Sequence, residues 1–224
     1  MINLRKKEGM NPVVSEIKVH SPKHGDLLRG RDILEILGIY ERCRSAGISY
    51  ITERNHFRGD FETFREICRN SELPVLRKDF IVTKEEIERT AEADGDAVLL
   101  IARILRDETP EFVDFSLEHG LESVVEVHSM EDVGHANLSK TPIIGINNRD
   151  IAVLEKDDGS VEITQKLAPL IRNGALKLSE SGITTKEHLE TALRYADAVL
   201  VGTAFMKADD IEKKVIEFVG GGYA

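Results

Sequence analysis

Short runs of apolar and β-branched residues recur along the chain, and each is followed by a longer stretch whose apolar positions return every three or four residues. The runs are VVSEIKV (13–19), ISYITE (48–53), PVLRKDF (74–80), DAVLLIA (96–102), ESVVEVH (122–128), PIIGINNRD (142–150), LKLSESG (176–182) and DAVLVGTA (197–204). Short buried strands alternating with amphipathic helices predict βα units around a parallel sheet. Thr83 opens TKEEIERTAEADG with Glu86 three residues on, a reciprocal pairing that starts helices, and TKEHLETALRYADA, opening at Thr185, is read as starting in the same way. Eight such units in 224 residues predict an α/β fold, a (β/α)8 TIM barrel forming one domain over 1–224. An open doubly wound sheet would need fewer strands and usually a G-x-G-x-x-G turn, which this sequence lacks.

Within the runs apolar residues lead and polar residues trail. Glu16 and Lys18 close the first, Glu53 the second, Lys78 and Asp79 the third, Glu126 the fifth, Asn147 and Arg149 the sixth, and Glu180 and Ser181 the seventh. In a parallel barrel these carboxyl ends meet at one rim, where the catalytic groups of such folds lie. Buried charges are costly unless paired or used, so their recurrence marks a site. Lys78 among Asp79, Glu16 and Glu53 is expected to stay protonated, while a desolvated Glu126 approaches neutrality, which divides acid and base between them. Lys18 and Arg149 answer an anionic substrate, unless Arg149 only braces Asp150, and Asn147 orients a hydroxyl or a catalytic side chain. Gly182, ahead of a helix, and Gly202-Thr203 offer free backbone N–H groups to a phosphate, with the Ser21 hydroxyl opposite.

Charge and composition narrow the ligand. A formal net charge of −10 with no basic face excludes a general nucleic-acid binder, so an anion must be caught by local cations. The basic opening MINLRKKEGM leads into no apolar stretch, which predicts a cytoplasmic protein. The longest apolar run, 97–102, suits a strand and is too short for a membrane span. Cys43 and Cys68 read as reduced thiols without catalytic duty. His20 and His24 flank a Ser-Pro loop rather than sharing a helix face, so no metal is expected.

Taken in order, EIKVHSP, ITERNHFRGD, LRKDFIV, VVEVH, GINNRD, SESGI and VGTAFM resemble the indole-3-glycerol phosphate synthase family over about 13–206. The resemblance implies cyclisation of 1-(2-carboxyphenylamino)-1-deoxyribulose 5-phosphate with loss of carbon dioxide and water, without a cofactor. By position Lys78 matches the family's catalytic lysine, which protonates the substrate carbonyl, and Glu126 a carboxylate that moves protons in dehydration. Glu16 and Asn147 join them as catalytic. Lys18, Arg149, Glu180, Ser181, Glu53, Phe57 and Phe80 match substrate-binding positions, and Ser21, Gly182, Gly202 and Thr203 the phosphate cradle. The implied partner is a small anionic phosphosugar-anthranilate substrate, and a monomer is the expected state.

The sequence also departs from the family pattern. Val19 and His20 stand where basic residues are usual, and Lys23 replaces the second serine of S-P-S-x-G. About a dozen residues precede Val13, a shortened N-terminal extension in which a helix-plus-linker lid is not expected. Two other readings compete. One is another phosphosugar-binding barrel, such as the isomerase acting on phosphoribosyl anthranilate, which should carry a Cys at the end of its first strand, where this chain has Glu16 and Lys18. A non-catalytic scaffold barrel would have no need of Lys78, Glu126 and Asn147.

Overall fold

Each of the eight apolar runs forms a strand in the computed structural model, which describes residues 1–149 and 161–220. The strands are Val13–Ile17, Gly47–Ile51, Val75–Lys78, Ala97–Ile101, Glu122–Val127, Ile143–Asn147, Leu176–Glu180 and Ala198–Val201, here called the first to eighth barrel strands. All pair in parallel with their sequence neighbours, and the first closes the barrel against the eighth. Val14 thus faces Gly47 on one side and Leu200 on the other.

The ladders stop short of the expected runs because the polar tails project beyond the last paired residue. The first strand ends at Ile17 and the sixth at Asn147, while Asp150 falls outside the described residues. Positions 203 and 204, expected in the eighth strand, instead open a helix at Thr203–Lys207. After the first strand the chain makes a small antiparallel pair, His20–Ser21 with Gly25–Asp26, that the hydrophobic pattern did not signal.

Strand alternation divides the core. Val14, Leu76, Leu99, Val124, Leu178 and Leu200 point into the barrel, while Val13, Ile48, Val75, Val98, Val125 and Ile144 point outward to the helices. The helix Phe61–Asn70 shows the matching period: Phe61, Phe64 and Ile67 are buried, and the Asp60 carboxylate accepts the Thr63 N–H at 2.8 Å to cap its start. Each such apolar side chain contributes about 1.5–3 kcal/mol on burial. The expected box of Thr83 and Glu86 is present at the helix Lys84–Glu92. At Thr185 only half of it forms, because position 188 is His: the hydroxyl accepts the His188 N–H and no carboxylate returns the bond. No helix among the described residues is long and apolar enough to cross a membrane.

The short helix Ile2–Lys7 sits at the end of the barrel opposite the polar tails. Ile2 joins the interior cluster beside Ala46, Ala97 and Ala198, small residues at the starts of their strands. Buried Arg5 donates to the Ser45 carbonyl from Nε at 3.4 Å and Nη2 at 3.2 Å and pairs with Glu8 at 3.0 Å, while Lys6 reaches Asp197 at 2.6 Å. This helix plugs the floor rather than covering the site. Arg5→Ala is therefore expected to lower stability by about 1–3 kcal/mol, since it leaves a buried carbonyl unsatisfied. Urea denaturation reads that loss, and turnover at saturating substrate should not change.

Candidate active site

The same alternation that sends Val14 and Leu76 inward sends Glu16, Lys18, Lys78 and Phe80 inward one and two steps later, above the apolar layer. They open on a cavity at the carboxyl rim, where small-molecule sites of such barrels lie. Its wall holds every residue singled out in the sequence for catalysis or binding except Glu180 and Ser21. Leu99, Ile101 and Leu200 form an apolar base, and Phe57 and Phe80 add aromatic surface.

Charge is concentrated around Lys78. Its Nζ lies 2.8 Å from Glu180 Oε2 and 3.6 Å from Glu16 Oε2, and Glu16 Oε1 lies 3.1 Å from Lys18 Nζ. Burial alone would lower the Lys78 pKa, but the carboxylates of Glu180, Glu16 and Glu126 outweigh it and raise the value, so the ammonium is firmly held. Burial pushes the Glu126 carboxyl up, against the pull of Lys78 and a hydrogen bond from Asn147. The Asn147 carbonyl Oδ1 accepts from Arg149 N at 3.0 Å, which leaves its amide to donate to Glu126.

Glu180 is fully buried beneath the cavity rather than lining it, and its carboxyl is raised to about 7 by burial, which exceeds the pull of Lys78, with Glu126 and Glu16 adding to the rise. In an unfolded chain the same carboxyl titrates near its ordinary value of 4.5. Between the two the folded state binds more protons, so the Glu180 contribution to stability is complete below about 4.5 and is lost as pH rises through about 7. Glu180→Gln should flatten the fall in unfolding free energy across that window in urea titrations; an unchanged slope would assign the effect elsewhere.

Two expected neighbours of Lys78 share its cavity but bond to other groups. Asp79 alternates to the other side of its strand, where it pairs with Arg77 at 3.2 Å and accepts from the Thr52 hydroxyl at 2.5 Å. Glu53 lines the cavity, but its two oxygens accept the backbone N–H groups of Asn55, His56 and Phe57 at 2.8, 2.8 and 3.0 Å. Those bonds, opposing burial, lower its pKa. Glu53 thus shapes the loop that brings Phe57 into the wall, where Lys18 Nζ lies 5.6 Å from the ring centre.

Ser181 and Gly182 have φ of 65° and 72°, successive left-handed residues that turn the chain sharply after the seventh strand. Only the second is a glycine; holding Ser181 there costs on the order of 1–2 kcal/mol. Asn148, which sequence reasoning passed over, secures the turn: its amide donates to Ser179 Oγ at 3.0 Å, Glu180 O at 2.9 Å and Ser181 O at 3.2 Å, and its carbonyl accepts from Thr164 N at 3.0 Å. The doubled Asn of GINNRD was its only signal. Gly202 has a different reason to be glycine: a Cβ there would stand 2.3 Å from Glu16 Oε1. Ser21 is fully buried, accepts from Lys23 N at 3.3 Å, and is not part of the cavity wall.

A closed parallel barrel with its buried charges gathered at the carboxyl rim is the architecture of barrel enzymes, which carry their chemistry there. Among these, the chain belongs to the indole-3-glycerol phosphate synthase family, whose model matches residues 2–218. It is 61% identical to an indole-3-glycerol phosphate synthase of Pyrococcus abyssi over 93% of this chain and 91% of that one. It is 58% identical to that of Thermococcus kodakarensis over 96% and 95%. Among solved structures, a mutant tryptophan synthase alpha-subunit of Pyrococcus furiosus superposes with a TM-score of 0.67, covering 92% of this chain and 97% of that one. At 14% identity this likeness speaks to the fold alone.

Proposed function

We propose that this chain closes the indole ring in tryptophan biosynthesis, converting 1-(2-carboxyphenylamino)-1-deoxyribulose 5-phosphate to indole-3-glycerol phosphate, carbon dioxide and water. Family membership supports the reaction, and one observation carries the assignment of residues: a charged Lys78 and a desolvated Glu126 stand in the wall of one cavity with an aromatic flank. The phosphate is held by backbone N–H groups around Gly182, Gly202 and Thr203, and the anthranilate ring lies against Phe57 and Phe80. Lys18 and Arg149 answer the substrate's negative charges.

Lys78 gives its proton to the carbonyl oxygen as the ring carbon bearing the carboxylate attacks the carbonyl carbon. The electron pair of the breaking bond to carbon dioxide restores the aromatic ring. The new hydroxyl then leaves with a proton as water while the adjacent methylene carbon gives up a proton to form the indole double bond, and Glu126, oriented by Asn147, takes part in this proton transfer. Glu16 and Glu180 hold the Lys78 ammonium in place, and Ser181 presents the turn that faces the phosphate. The work is placed in the cytoplasm.

The chain has no Trp, so the indole fluorescence of the product stands out against the protein. Purified protein mixed with the anthranilate-ribulose phosphate should develop that signal at a rate proportional to enzyme. A folded protein that stays silent refutes the reading.

A further inference from the structure

Beside Glu126 lies a second buried group that the reaction above does not use. Two residues beyond Glu126 and just past the end of the fifth barrel strand, His128 has a side chain only 2% exposed. Its Nε2 lies 3.3 Å from Glu126 Oε1, an ion-pair approach rather than an aligned hydrogen bond. Its Nδ1 lies 3.9 Å from Asp132 Oδ2, on the first turn of the helix Met130–Leu138. Asp132 is itself held: it accepts the His128 backbone N–H at 2.8 Å, and its own N–H is capped by Ser129 Oγ at 3.2 Å. From the segment Ala102–Leu105, Arg103 Nε reaches the same Asp132 oxygen at 3.7 Å. The histidine of that helix, His135, faces Asp107 at 3.3 Å.

One imidazole thus lies between two carboxylates that are 3% and 5% exposed. A ring protonated in this place would offset the negative charge of both carboxylates. We propose that His128 is a positioning residue for Glu126: braced by Asp132, its ring lends the carboxylate a positive neighbour and fixes the orientation in which Glu126 faces the cavity. The proposal rests on Glu126 being the proton-transfer carboxylate of the reaction. The groups around Glu126 pull both ways. Burial and Glu16 raise its pKa, the net direction, while Lys78, the Asn147 donor and Arg103 lower it, and Arg103 also stands beside Asp132.

The test is the pH profile of kcat for His128→Gln, Asp132→Asn and Glu126→Gln, with KM and folding followed alongside. Loss of the imidazolium leaves Glu126 easier to protonate, so the acidic limb of the profile should move up by about one pH unit in His128→Gln. Its kcat should fall by about tenfold near neutrality, with KM within about twofold. Asp132→Asn should move the limb in the same direction by less. In the background of Glu126→Gln, the further change His128→Gln should cost nothing, because the group it serves is gone. If Glu126→Gln keeps wild-type turnover, the assignment of Glu126 fails and His128 has nothing to position. If Glu126→Gln is slow while His128→Gln keeps the wild-type profile, the role of His128 alone is overturned. Should His128→Gln not fold, an unmoved limb in Asp132→Asn overturns it equally.

Discussion

Lys78→Ala is expected to slow ring closure by about a hundredfold to ten-thousandfold, the range over which a positioned general acid contributes. The loss should fall on kcat, because Lys78 is 13% exposed and sits among carboxylates rather than in the outer wall where substrate is first met. The change also has a signature in stability. Glu180 and Glu16 lose the ammonium at 2.8 and 3.6 Å, and breaking a buried pair from one side typically costs about 3–5 kcal/mol. Glu180 has an escape, since a carboxyl already raised to about 7 takes up a proton more readily still when its cation is gone. With its folded pKa raised further above the unfolded value, its contribution persists below that unfolded value and is lost as pH rises. The deficit of Lys78→Ala should therefore be small at pH 5 and large at pH 8. Urea titrations at the two pH values, with stopped or continuous indole fluorescence, check both halves. Turnover within tenfold of wild type would remove Lys78 from the chemistry, and a deficit independent of pH would break its link to Glu180.

Gly145→Ala should damage the protein from a position that touches no substrate. A Cβ on Gly145 would stand 2.1 Å from Glu180 Oε1 and 3.2 Å from Val124 Cγ1. Gly145 is fixed in the ladders opposite Glu126 and Leu178, so the buried Glu180 side chain, held to Lys78 through its other oxygen, is what must shift. Overpacking of this kind costs about 1–3 kcal/mol, and here it also pushes a carboxylate off its lysine. We expect a loss of stability at or above that range and a drop in kcat of at least about tenfold through the displaced Lys78. The decisive control is Glu180→Ala, which empties the space the new methyl needs. If Gly145→Ala costs as much stability in that background as alone, the contact with Glu180 is not the cause.

These two residues show how far sequence patterning reaches. The barrel was legible because each strand carries its own period and each helix its own stripe, both local properties. The gathering of Glu16, Lys18, Lys78, Glu126, Asn147 and Glu180 at one rim was legible for the same reason. What failed were judgements about neighbours between strands. Asp79 was grouped with Lys78 because the two are adjacent in sequence, although adjacency in a strand places them on opposite faces. Glu180, a hundred residues away by sequence and 2.8 Å away in space, was the true partner. Glu53 looked like one more rim carboxylate, but three backbone donors that follow it had already claimed its oxygens. Ser21 was placed by motif position, whereas its own small turn buries it. Gly145 gave no sign of being anything but a strand glycine, since the atom that excludes a side chain belongs to the next strand over.

The seam that closes the barrel joins Val13–Ser15 to Val199–Val201, almost the full length of the sequence apart. A ribosome making this chain therefore releases Glu16 and Lys18 long before the strand that seals the interior around them exists. Local βα units can form as they emerge, but the ring is finished only when the last of them arrives, and a contact this remote in sequence is slow to find. The charges that the first strand contributes, Glu16 and Lys18, are therefore expected to be enclosed only when the eighth strand arrives. Assembly of the fold and assembly of its chemistry are in this respect the same terminal event.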